Sequence, residues 1–272
     1  MKHYPIKDHA PSLLPDGKTW KLVWSDEFDG DTLDMTKWSY RYHIMGLRHE
    51  TFTDEGAALD GKGNLVLSRI EKEGQFYSTQ LQTGENYMDR PGTRFGNNRF
   101  TWPIAKISTP KFMHKFGYYE CRCRLQQKEG WWSAFWLQSP LQGSTLNPAV
   151  SGVEIDIMES FAPNVVEHNL HWDGCGEDWK TAGKPRYEIP ETADGYHIFG
   201  LLWNRDGYKF YVDGEMTWSA DGPVSETEQF LLISTECKGY RAMEPQPDPA
   251  LFTTGDDEFL VDYIRVYDEI EE

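Results

Sequence analysis

Three carboxylates fall within one short stretch, Val153-Glu154-Ile155-Asp156-Ile157-Met158-Glu159. In an extended strand successive side chains point to opposite faces, so Val153, Ile155 and Ile157 share one face while Glu154 and Asp156 share the other. Glu159 lies at an odd offset from Glu154, which would turn it onto the apolar face. One extra residue at Ile157-Met158, a β-bulge, returns it to the carboxylate face, and bulges recur beside active sites. Like charges a few ångströms apart raise at least one pKa, so one carboxyl keeps its proton near neutrality while a neighbour stays ionised. An acid beside a nucleophile is what a retaining glycosidase uses, with the two groups about 5 to 5.5 Å apart. Asp156, between them, is placed to hydrogen-bond the nucleophile and to tune the position of the proton. The competing readings are a solvated strand edge and a calcium site. Alternation with Val and Ile argues against the first, and calcium loops are usually built on Asp, Asn and Gly turns.

The elements that must hold such a strand are other strands. Alternating segments recur at Asn64-Leu65-Val66-Leu67-Ser68, Tyr118 to Leu125 and Tyr208-Lys209-Phe210-Tyr211-Val212. Turn chemistry separates them, at Asp60-Gly61-Lys62-Gly63-Asn64, Arg205-Asp206-Gly207 and Asp213-Gly214. No convincing amphipathic helix interrupts the series, which predicts an all-β, two-sheet sandwich. No linker, repeat or charge block divides it. The proline-containing segment Ala242 to Pro249 is followed by a single further strand, Glu258 to Asp268, which must return to the same sheet. The expectation is one catalytic domain over residues 17–272, with residues 1–16 as a loosely held arm.

Composition narrows the partner. The aromatic share of 14% is high for a chain with a mean hydropathy of -0.66, so some rings belong on the surface, where they stack on sugars or bases. A formal charge of -17 repels a phosphate backbone and excludes nucleic acid; it also argues against a densely sulfated polymer. A neutral polysaccharide or oligosaccharide fits best. No run is long and apolar enough to span a bilayer, and the N-terminal residues carry no apolar signal core, so no membrane partner is expected. Cys121, Cys123, Cys175 and Cys237 form no metal or redox motif and read as buried free thiols.

The stretch "EIDIME" resembles the ExDxxE signature of glycoside hydrolase family 16. The resemblance continues at Trp20 to Trp38, Ile107 to Gln126, Trp131 to Ser139, Tyr196 to Gly214 and Phe259 to Asp268, in order. It implies a β-jelly roll with a concave cleft, in which Glu154 is the nucleophile, Asp156 the assisting residue and Glu159 the general acid/base. It places Trp136 in the cleft beside the cleaved bond, with Trp132 on the same strand as a second substrate contact; core packing is the alternative for Trp136. In His168-Asn169-Leu170-His171-Trp172, alternation puts Asn169 and His171 on one face, as substrate contacts or as structural groups. Trp203 fits core or cleft equally. The family implies no required cofactor. It implies a structural calcium on the convex face, with Asp262 at a ligand position, and a monomer that is secreted or periplasmic. Two departures bear on the substrate. Leu146 to Gly152 stands where the laminarin-cleaving branch carries Trp-Pro, and the bulged motif is unlike the lichenase branch. The expected activity is retaining endo-hydrolysis of β-1,3 or β-1,4 bonds in a β-galactan or β-glucan. A transglycosylase or a non-catalytic lectin-like module on the same fold are the alternatives.

Overall fold

The computed structural model describes residues 1–89, 108–128, 130–174, 177–237 and 257–270. The Ala242 to Pro249 segment and Cys175 lie outside the described residues. Two antiparallel sheets face each other. The first runs in the order Lys180–Glu188, Val165–Trp172, Glu154–Ala162, Trp131–Gln138, Phe230–Cys237, Gln80–Gln82 and Ser39–Tyr40. The second runs Glu215–Ala220, Gly207–Val212, His197–Asn204, Gly117–Arg124, Phe259–Ile270, Leu65–Leu67 and Ala57–Leu59, and Thr19–Asp26 also pairs with Phe259–Ile270. This is the expected all-β sandwich. Helix among the described residues amounts to single turns at Tyr87–Asp89 and Pro148–Ser151.

The core lies between the sheets because alternate residues of each strand meet there. Phe135, Leu137, Val153, Ile155, Leu231 and Ile233 from the first sheet pack against Tyr119, Cys121, Phe199, Leu201, Val261 and Val266 from the second. Trp203 is fully buried among them and donates its indole N–H to the Ser225 carbonyl, which settles it as a core residue. Cys121, Cys123 and Cys237 are buried free thiols.

Residues 1–16 depart from expectation. Lys2–Ile6 and His9–Leu14 form a hairpin that is docked, not loose. Its Leu14 enters a second cluster with Trp20, Tyr118 and Tyr267 on the outer face of the eight-stranded sheet. The Leu13 N–H donates to Glu120 Oε2 at 2.8 Å, and Arg265 donates to the Ala10 carbonyl at 2.9 Å and to Ser12 Oγ at 2.8 Å. Arg265 is itself held by two bonds to Glu27.

The strand Glu154–Ala162 is entered through Gly152, whose φ of 88° lies in the left-handed region. A Cβ there would lie 2.2 Å from Ser139 Cβ, so only glycine lets the chain turn in at this place.

Candidate active site

The register shows the bulge directly. Against Trp131–Gln138, Phe135 pairs with Met158 and Trp136 with Asp156; against Val165–Trp172, Asp156 pairs with Asn169 and Glu159 with Glu167. One residue more is used on the carboxylate strand than on either neighbour between these pairs. Ile157 and Met158 both enter the core, and Glu154, Asp156 and Glu159 all line one cavity of about 460 Å³ on the opposite face. The odd offset is absorbed where sequence alternation requires it.

Each carboxylate has its own partners. Glu159, 7% exposed, accepts the Trp132 indole N–H at 2.9 Å and the Asn169 amide at 2.7 Å. Burial, and then the negative charge of Asp156, push its pKa up to about 8, against the opposing effect of those two donors. Glu154 accepts the Gln138 amide at 2.7 Å. Burial and Asp156 raise its pKa too, while His171, Gln138 and Arg41 favour its charged form. Asp156 is paired with His171 Nε2 at 3.2 Å. Burial alone would lower the His171 pKa, but the bond to Asp156 and the charges of all three carboxylates raise it to about 9. His171 Nδ1 has no hydrogen-bond partner; the ring is instead stacked on Trp179, centroids 5.3 Å apart, an arrangement that suits a cation over an aromatic face. At neutral pH the site therefore holds protons on Glu159 and His171.

Trp136, 8% exposed as a residue, lines the cavity with its N–H on Ser234 Oγ at 3.0 Å and the Arg41 guanidinium 5.3 Å from its ring centroid. It is cleft wall and packed residue at once, joined to Ala134, Phe230 and Leu232. Trp132, Asn169 and His171 also line the cavity, and each directs one polar group to a carboxylate, Trp132 and Asn169 to Glu159 and His171 Nε2 to Asp156, because buried carboxylates require donors close by.

Sequence reasoning missed four contributors. Gln138 sits two residues beyond Trp136, so strand periodicity alone could have put it on the cleft face. Arg41 arrives from a distant segment, held by Asp89 at 2.6 Å and by Gln80 at 3.1 Å, and Gln80 in turn donates to Glu236. Trp179 and Phe161 flank the cavity, Phe161 packed on Trp132 at 4.8 Å. Phe161, two residues beyond Glu159 on one strand, was legible by the rule that places Gln138, whereas Trp179 lies just outside Lys180–Glu188, where no periodicity marks a face.

Asp262 does not fit a structural calcium. The Arg122 guanidinium lies 2.5 Å from its carboxylate and bonds Asp194 as well, so a fixed cation already occupies that position. Glu154, Asp156 and His171 bring one ligand atom each within 4.8 Å of one another, the one such grouping among the described residues. Among the described residues no helix is long and apolar enough to cross a membrane.

The family model described as glycosyl hydrolases family 16 matches residues 73–230. The chain is similar to the glucan endo-1,3-beta-glucosidase A1 of Niallia circulans, 27% identical over 91% of this chain and 38% of that protein. It is also similar to the beta-glucanase of Rhodothermus marinus, 26% identical over 93% of this chain and 86% of that protein. Among solved structures, the catalytic domain of an endo-1,3-beta-glucanase (laminarinase) from Thermotoga petrophila RKU-1 superposes with a TM-score of 0.67. That pair is 25% identical, covering 93% of this chain and 100% of the other.

Proposed function

Because the chain belongs to the glycosyl hydrolases of family 16, we propose that it is an endo-acting, retaining β-glycosidase that cleaves internal β-1,3 or β-1,4 bonds of a neutral glucan. The observation that carries this reading is the set of three carboxylates on one bulged strand that line a single cavity. Glu159 keeps its proton to about pH 8, while for Glu154, whose pKa burial and Asp156 also raise, His171, Gln138 and Arg41 favour the anion. In the first step Glu154 attacks the anomeric carbon, the glycosidic C–O bond breaks, and Glu159 gives its proton to the departing oxygen. In the second, Glu159 takes a proton from water, whose oxygen displaces Glu154 and restores both carboxyl groups. Asp156 raises the Glu159 pKa, and with His171 it sets where the site's protons reside.

The neutral substrate is supported by the wall of the cavity. Its described lining carries two cations, Arg41 and His171, and both are paired with carboxylates, so neither is free for a sulfate. The names of the two relatives point to glucan as well. A polymer of this kind is met outside the cytoplasm, and the enzyme acts there as a monomer without a cofactor.

The test pairs a substrate panel (laminarin, mixed-linkage glucan, agarose and β-1,3-galactan) with proton NMR of the first product. The expected result is internal cleavage of a glucan with the β anomer appearing first. Initial appearance of the α anomer would mean an inverting mechanism and a water between the carboxylates. Adding acceptor oligosaccharides to the same reactions separates hydrolysis from transfer.

A further inference from the structure

A bulge interrupts the ladder, and the backbone groups it displaces need partners from elsewhere. The Ile157 carbonyl, at the bulge, finds one in His168 Nδ1 at 2.7 Å. His168 stands next to Asn169 on the Val165–Trp172 strand but points the other way: Asn169 faces the cavity, and His168 is fully buried between the sheets. Its Nε2 lies 2.8 Å from Thr217 Oγ1 on Glu215–Ala220, a strand of the opposite sheet, and its ring packs on Phe210 with centroids 5.1 Å apart. One imidazole thus spans the sandwich from the bulge to the far sheet. A carbonyl only accepts, so Nδ1 must carry the hydrogen. In the neutral ring Nε2 then takes the Thr217 hydroxyl hydrogen at 2.8 Å, in competition with the Phe210 carbonyl 3.3 Å from the same hydroxyl. Burial, seconded by Lys184, pushes the His168 pKa down to about 4 despite the bond to Ile157, so this single neutral tautomer persists across the working range.

We propose that His168 is a positioning residue: by pinning the Ile157 carbonyl to the opposite sheet it fixes the bulge, and with it the place of Glu159 relative to Asp156 and Glu154. The inference rests on the reading of these carboxylates as the catalytic set. It predicts that loss of the Nδ1 donor lets Glu159 move, changing the interactions that hold its proton.

Two variants separate the two ends of the ring. In His168→Asn the amide nitrogen can take the place of Nδ1 and reach Ile157. In His168→Gln the amide reaches toward Thr217 and leaves the carbonyl without its donor. The readout is the pH titration of the Trp132 indole N–H, followed by nitrogen-proton NMR, since that group donates to Glu159. It is joined by kcat and KM on the best substrate of the panel. The expected result is a wild-type titration midpoint and kcat for His168→Asn. For His168→Gln the midpoint shifts by half a pH unit or more, kcat falls by roughly 10²-fold and KM stays within about twofold. Equal behaviour of the two variants in the indole titration, or a fall in melting temperature with the titration unchanged in both, overturns the proposal. The titration is read without substrate. An unaltered protein that cleaves nothing in the panel therefore sinks the proposed function while leaving this test of the bulge standing.

Discussion

Glu159 is held between opposed demands: burial and Asp156 keep its proton on, while the Trp132 and Asn169 donors favour letting it go. An acid catalyst needs that compromise, because a proton bound too tightly is not delivered. The activity kcat/KM is accordingly expected to decline as pH rises through about 8, where Glu159 ionises. Replacing Asp156 by Asn removes the like charge that helps to raise the Glu159 pKa. The alkaline limb of the profile then moves to lower pH and kcat drops by roughly 10²-fold, with oligosaccharide binding nearly unchanged. A profile identical to the wild type at unaltered kcat would remove Asp156 from the mechanism. The three carboxylates were legible in sequence because the signal is local, an alternation broken by an odd offset. Gln138 was legible by the same rule and passed over. Arg41 was not, since its place over Trp136 depends on Asp89 and Gln80, contacts that only the folded chain creates.

At the scale of elements, the strands and the bulge followed from periodicity, whereas the N-terminal hairpin did not. Pro5 and Pro11 obscure its alternation, and its partner Glu120 lies 107 residues away from Leu13. The Asp262 expectation failed for a similar reason: Arg122, the residue that neutralises it, comes from a neighbouring strand 140 residues distant in sequence. Glu120 makes the hairpin sensitive to pH. Burial raises its pKa from 4.5 to about 7, in spite of bonds from Tyr263, Ser12 and the Leu13 N–H and the nearby Arg265. A carboxyl whose folded pKa is raised contributes stability that is fully present below its unfolded pKa and is lost as pH climbs through the folded one. The melting temperature is thus expected to fall between about pH 4.5 and 7, and Glu120→Gln, which cannot ionise, should flatten that fall. An equally steep decline in the variant would place the cause elsewhere.

For the molecule as a whole, the charge of -17 acts on any partner at long range. A neutral glucan does not feel it, so KM should change by less than about twofold as ionic strength rises from low to physiological values. A sulfated polymer would bind better with added salt, and a steep improvement of that kind would count against the neutral substrate. The same charge keeps copies apart, yet a sheet with an open edge can still recruit a neighbour through its backbone. Lys180–Glu188 is the terminal strand of the seven-stranded sheet, and it is built to refuse one. Pro185 withholds a donor, Arg186 adopts a φ of 50°, and the register slips beside them between Val166 and His168. Arg186, exposed, adds charge on the same edge, while Lys180 is paired with Asp173 and Lys184 with the Thr217 carbonyl. This edge strand, which pairs with the Val165–Trp172 neighbour of the carboxylate strand, therefore also governs how concentrated the protein can become before it clumps. Pro185→Val should leave the cleft intact and give a protein whose sedimentation grows heavier with concentration more steeply than that of the unaltered chain. A variant whose sedimentation matches that of the unaltered chain throughout would show that the edge is guarded by something other than this proline.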